Sequence, residues 1–157
     1  MSRRATTTAR VAALAASAAA GALLLAACAP TTTTLNYAPS DGVRVDLADL
    51  KLRGINLLVV SEGDGEPGNL LGALTNHTGD AETFRLEAEG AAPVTISVDA
   101  GETVYLGTAD GEDVQLDVVD AIPGGSIPAV LTAGDESQEF ELPVFDDTLP
   151  EYADYLP

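Results

Sequence analysis

The chain has 157 residues, of which 25 are Asp or Glu and 7 are Lys or Arg, giving a formal charge of −18 at neutral pH. Arg3, Arg4 and Arg10 lie before residue 28 and no acidic residue does, so residues 28–157 set 25 acidic side chains against only Arg44, Lys51, Arg53 and Arg85. Such a balance argues against nucleic-acid binding, where cations must neutralise phosphates, and against resting on an anionic membrane surface, which repels nearby carboxylates within a Debye length.

In chain order, the first element is an uncharged Ala- and Leu-rich run from Val11 to Cys28 behind the three arginines, the layout of a secretory signal. The run ends in Leu25-Ala26-Ala27-Cys28. These four residues resemble the bacterial lipobox, and the resemblance implies cleavage before Cys28 and a diacylglycerol on its thiol. Residues 1–27 are therefore expected to be a cleaved signal helix rather than a permanent span, because roughly 17 Ala-rich residues are marginal for hydrocarbon about 30 Å thick. Cys28 is the only cysteine, so no internal disulfide can form. The expected location is outside the cell, held by lipid to the outer face of the cytoplasmic membrane.

Residues 28–40 carry little charge and include Thr31, Thr32, Thr33 and Thr34, the composition of a solvated tether that reaches roughly 40 Å when stretched. Residues 41–145 form one domain by size. Its dominant signal is period-two alternation, which predicts strands. Val43, Val45 and Leu47 alternate with Arg44 and Asp46. Ile55-Asn56-Leu57-Leu58-Val59-Val60 is nearly all apolar and predicts a central strand covered on both faces, with a bulge at Gly54.

A turn-rich loop, Glu62 to Gly68, precedes a strand from Leu70 to Asn76, and Asn76 to Asp80 turns the chain back. Alternating strands follow around Phe84, Leu86 and Ala88, then Val94, Ile96 and Val98, then Val104 and Leu106. Asp110-Gly111 is a hairpin signal, and Val114, Leu116 and Val118 alternate behind it. Ile127, Ala129 and Leu131 come next, with Pro128 hinting at an edge strand, and Phe140, Leu142 and Val144 close the series. Eight or nine short strands without a helix predict an all-β, antiparallel Ig-like or cupredoxin-like sandwich, one face of each strand apolar and the other acidic. Residues 146–157 contain Pro150, Pro157, Tyr152 and Tyr155 without periodicity, which predicts an extended arm.

Glu62, Asp64 and Glu66 alternate in one Gly-rich loop and are the candidate ligands for a hard cation such as calcium; Asp110, Glu112 and Asp113 crowd a second loop. Acidic turns are also the norm in an acidic protein, and no EF-hand pattern is present. His77 is the only histidine. No nucleophile-elbow pattern surrounds Ser40, Ser61, Ser97, Ser126 or Ser137 to recruit it into a triad, and without Trp the chain offers few platforms for a sugar-cleaving carboxylate pair. Asn76-His77-Thr78 matches the N-glycosylation sequon, a match of little meaning behind a bacterial lipobox.

Asp41-Gly42-Val43, Leu52-Arg53, Asn76 and the run Gly101-Glu102-Thr103-Val104-Tyr105-Leu106-Gly107-Thr108 resemble the small actinobacterial envelope lipoproteins of the LpqE group. That group is similar in turn to the periplasmic copper-chaperone sandwich PCuAC, whose site is built from His and Met. Here the resemblance stops at the fold, since His77 and Met1 are the only residues of those types and a soft-ligand copper site needs several. A DNA modification methylase would need a Gly-rich turn after a strand and a basic face, and neither occurs. The expectation is a non-enzymatic module without cofactor, lipid-anchored, that contacts an envelope protein or glycan. The alternative is a copper- or calcium-handling chaperone, and the third reading is a cryptic enzyme.

Overall fold

The computed structural model describes residues 40–107 and 111–157. The expected signal, the lipobox-like residues with Cys28, the expected tether up to Pro39, and Thr108 and Asp110 lie outside the described residues.

The domain is the all-β sandwich that the alternation predicts, with nine strands: β1 Val43–Leu47, β2 Leu52–Ser61, β3 Glu66–Asn76, β4 Glu82–Ala88, β5 Val94–Val98, β6 Thr103–Leu106, β7 Gln115–Val119, β8 Ser126–Ala133 and β9 Glu136–Phe145. One sheet runs β5-β4-β8-β9; β9 then joins β2 of the other, which continues through β3 to β6, with β1 on β2 and β7 on β3. The β2–β9 junction is parallel, at Val59↔Val144 and Val60↔Phe145, and the remaining strand pairs are antiparallel. By passing from one sheet to the other, β9 makes the sheet mixed and nearly closes the sandwich into a barrel.

The inward residues of the alternating strands meet in one core. Phe84, Leu57, Leu70, Leu74, Leu86, Leu106, Leu116, Leu131 and Leu142 are its largest fully buried side chains. Val104 and Phe140 pack against the rim of this core and are only partly buried.

Four details depart from the sequence expectation. The bulge in β2 lies after Ile55 and not at Gly54, which pairs regularly with Val45 and Leu74. There Asn56 is left-handed, with φ of 54°, and its carbonyl approaches Gly72 so closely that a Cβ would sit 2.8 Å from it. Pro128 sits in an interior strand, between β4 and β9. Its carbonyl accepts from the Glu89 N–H just beyond the end of β4, and in a ladder the missing N–H faces that same side, where pairing is ending anyway.

β6 and β7 do not pair with each other as a hairpin. β6 pairs with Gly72–Thr75 and β7 with Glu66–Asn69, so the two follow one another along one edge of β3 as an interrupted edge strand. Finally, the tail is not an extended arm. It turns at Leu149–Tyr152 and Tyr152–Tyr155 and lays Tyr152 on Leu58, Val60 and Leu71 of the outer face of β2 and β3. Tyr152 donates a hydrogen bond to Asp41 (2.8 Å), and the Asn69 amide donates to the Tyr155 carbonyl (2.9 Å). The apolar run in β2 is thus covered on both faces as expected, by the core on one side and by the tail on the other.

The β1–β2 connection places Ala48, Asp49 and Leu50 at φ of 50°, 51° and 71°. Left-handed backbone costs an L-residue about 1–2 kcal/mol, whereas glycine adopts it freely. Leu50 is half exposed, so its side chain returns little. Leu50→Gly is therefore expected to stabilise the domain by about 0.5–1 kcal/mol after the added freedom of the unfolded chain is subtracted. A lowered urea midpoint would contradict this account of the turn.

Candidate functional site

The Glu62–Glu66 loop connects β2 to β3 and is organised by its own backbone. The Ser61 hydroxyl donates to the Pro67 carbonyl and accepts from the Gly63 N–H, Glu66 N–H bonds Gly63, and Gly65 N–H reaches the Val119 carbonyl on β7. Glu62, Asp64 and Glu66 all point to solvent. Among the described residues no three His, Cys, Asp or Glu side chains are grouped as a metal ion requires, so the fold does not bring these three together. Glu62 and Glu66 instead flank a recess of about 160 Å³ against Leu156 and Pro157 of the tail.

His77 is exposed, and among the described residues no hydrogen bond joins its imidazole to a serine or a carboxylate. Its neighbour Asn76 is fully buried and structural. The Asn76 amide donates to the carbonyls of Asp80 (2.8 Å) and Val98 (3.0 Å), and its oxygen accepts from the Thr78 N–H (2.8 Å) and hydroxyl (2.7 Å). The nitrogen that a glycan would modify is thus spent on the corner joining β3 to β5.

A larger concave feature lies elsewhere, on the outer face of β4, β8 and β9. Register aligns Glu87, Val130 and Glu139 in one row across the three strands. In the next row Pro128 pairs with Glu141, and Glu89 bonds Pro128 from the other side. The middle strand thus supplies an apolar floor and the outer strands supply carboxylate walls, enclosing an open trough of about 660 Å³. Glu87 pairs with Arg85 at 2.9 Å, and Glu141 accepts a hydrogen bond from Ser126, also at 2.9 Å. The other ion pairs among the described residues, Arg44–Asp46 and Arg53–Asp46, are on β1 and β2. No described cation is therefore paired with Glu89, Glu139 or Glu141.

The trough does not stand out in the sequence, because each glutamate fits the acidic outward face expected of any strand. The available signal is the outward series of β8, Ser126, Pro128, Val130 and Thr132, which is uncharged in a strongly acidic chain. No protein-family model and no curated protein matches this chain.

Proposed function

We propose that the protein is an exported lipoprotein of the LpqE type, held by a diacylglycerol on Cys28 to the outer face of the cytoplasmic membrane, whose sandwich acts by binding an envelope partner rather than by catalysis. The observation that carries this reading is the order Arg3, Arg4 and Arg10, a charge-free apolar run, and Leu25-Ala26-Ala27-Cys28. A polar tether behind an anchor confines the domain near the membrane and raises its effective concentration for a neighbour. The several acyl chains of a bacterial lipoprotein hold firmly where one alone is marginal.

Cys28→Ser decides the matter. Labelling with an alkyne fatty acid should be lost, and the protein should leave the washed membrane fraction or accumulate with its signal uncleaved. A Cys28→Ser protein that still takes up lipid overturns the anchor. An anchored His77→Ala protein should complement a null strain as well as the parent chain does, whereas an unlipidated soluble form should complement poorly. Rescue by a low dose of soluble protein would favour catalysis.

A further inference from the structure

We propose that the trough on β4, β8 and β9 is a docking site for an extended, consecutively basic peptide segment, four Lys or Arg residues long. The inference deepens the reading of an interaction module, naming the partner's chemistry.

Pro128 and Val130 face outward from an interior strand, on the face where the flanking β4 places Thr83, Arg85 and Glu87 and β9 places Glu139 and Glu141. They leave the centre of the sheet low, and the longer glutamates of the flanking strands rise on both sides. Neighbouring strands lie about 4.8 Å apart, so the two walls stand about 10 Å apart, and residues two apart along one wall are separated by about 6.8 Å. Glu87 and Glu89 form one wall, Glu139 and Glu141 the other.

A chain laid along this trough in extended form sends successive side chains alternately to the left and to the right. Its residues two apart recur at about 6.8 Å, the spacing of the carboxylates along each wall. Four consecutive basic residues therefore address both walls, two to each, while their aliphatic stems cover the apolar floor. Basic residues at every second position address one wall only. Charge complementarity completes the case, because Arg85 is the one cation of the domain on this sheet and it engages Glu87 at the trough's end. The incoming cations displace no described cation at Glu89, Glu139 or Glu141, although Glu141 also accepts the Ser126 hydroxyl.

The test is titration of the full chain, purified from membranes in a non-ionic detergent, with two blocked peptides of equal charge. One carries four consecutive lysines, and the other carries four lysines separated by glycines. At about 0.15 M salt, where exposed charges more than about 8 Å apart are screened, the consecutive peptide should bind about threefold or more tightly than the spaced one. The triple variant Glu89→Gln, Glu139→Gln, Glu141→Gln should weaken the consecutive peptide about tenfold. The triple variant Glu62→Gln, Asp64→Asn, Glu66→Gln, which loses the same charge away from the trough, should leave binding within about twofold. Val130→Arg, which puts a cation on the floor, should abolish the difference between the peptides.

Equal binding of the two peptides, or equal losses in the two triple variants, would show a general polyanion effect and overturn the proposal, as would no binding at all. The peptide comparison needs no substitution and so stands even if a variant misfolds. The anchor does not enter the measurement: a chain found without lipid is purified without detergent and titrated in the same way.

Discussion

Truncation after Phe145 is expected to lower domain stability by about 3–5 kcal/mol, the range for deleting a buried aromatic anchor, and to create a surface that binds a hydrophobic dye. The loss is of cover as much as of contact. Leu58 and Val60 are completely buried and Leu71 nearly so, and the tail residues Tyr152, Tyr155 and Leu156 lie over them. Without the tail these side chains stand on the outside of a sheet. Tyr152→Ala should account for about 3 kcal/mol by itself, because Tyr152 packs against Phe145 in a tilted contact, with ring centroids 5.2 Å apart, and is 7% exposed. Ordering a dozen residues opposes the gain, which is why the net effect stays well below the gross area buried. An unchanged urea midpoint and no dye binding after truncation would reduce the tail to an ornament.

The same latch responds to alkali. Burial, followed by the hydrogen bond to Asp41, pushes the Tyr152 phenol up to about 12 from an ordinary 10.0. The folded state thus holds the phenolic proton more tightly than the unfolded chain does, and the tyrosine's contribution is intact below pH 10.0, then lost as pH rises towards about 12. Tyr152→Phe should be less stable at neutral pH by about 0.5–1.5 kcal/mol, the net worth of one hydrogen bond, and should lack this alkaline decline.

Asn76→Ala is the second large effect, expected at about 2–4 kcal/mol, because four hydrogen bonds converge on a side chain without solvent contact and their partners would be stranded. Asn76→Asp separates geometry from polarity. It keeps the shape and the two bonds from Thr78 but turns a donor toward Asp80 and Val98 into an oxygen facing two carbonyls. A charge there is disfavoured, so the folded-state pKa of the new carboxyl is raised. The variant should then recover stability as pH falls below the carboxylate range and lose it again as pH rises. Equal stability of the parent chain and Asn76→Ala in thermal unfolding would show that the corner is not built on this residue.

The strands were legible because one alternating stripe of apolar residues suffices to specify each of them, and the covered apolar run of β2 announced a strand buried on both sides. What covers it was not legible. Tyr152, Tyr155 and Leu156 have no periodicity, and only the partnership with Leu58, Val60 and Leu71 gives them a place. The interrupted edge formed by β6 and β7 escaped for a related reason, since Asp110-Gly111 marks a turn without stating whether the chain reverses or resumes its course. Gly54 attracted the bulge because glycine tolerates it, yet strain settled on Asn56, where Gly72 across the ladder leaves room for the carbonyl. The trough depends on three strands far apart in sequence, so no local pattern of glutamates could distinguish its walls from any other solvated strand face.

The parallel pairing of β9 with β2 has a consequence for the order of events during synthesis. A chain grown from its N-terminus presents β2 long before β9, and until β9 appears one side of β2 is unpaired beyond the stretch held by β1. β8 meanwhile waits for its neighbour, and Leu58 and Val60 wait for the segment that follows β9. The element that joins the two sheets is thus the last of these nine strands to be synthesised. Such long-range pairings are slow to form, and the sandwich cannot complete before β9 has been made.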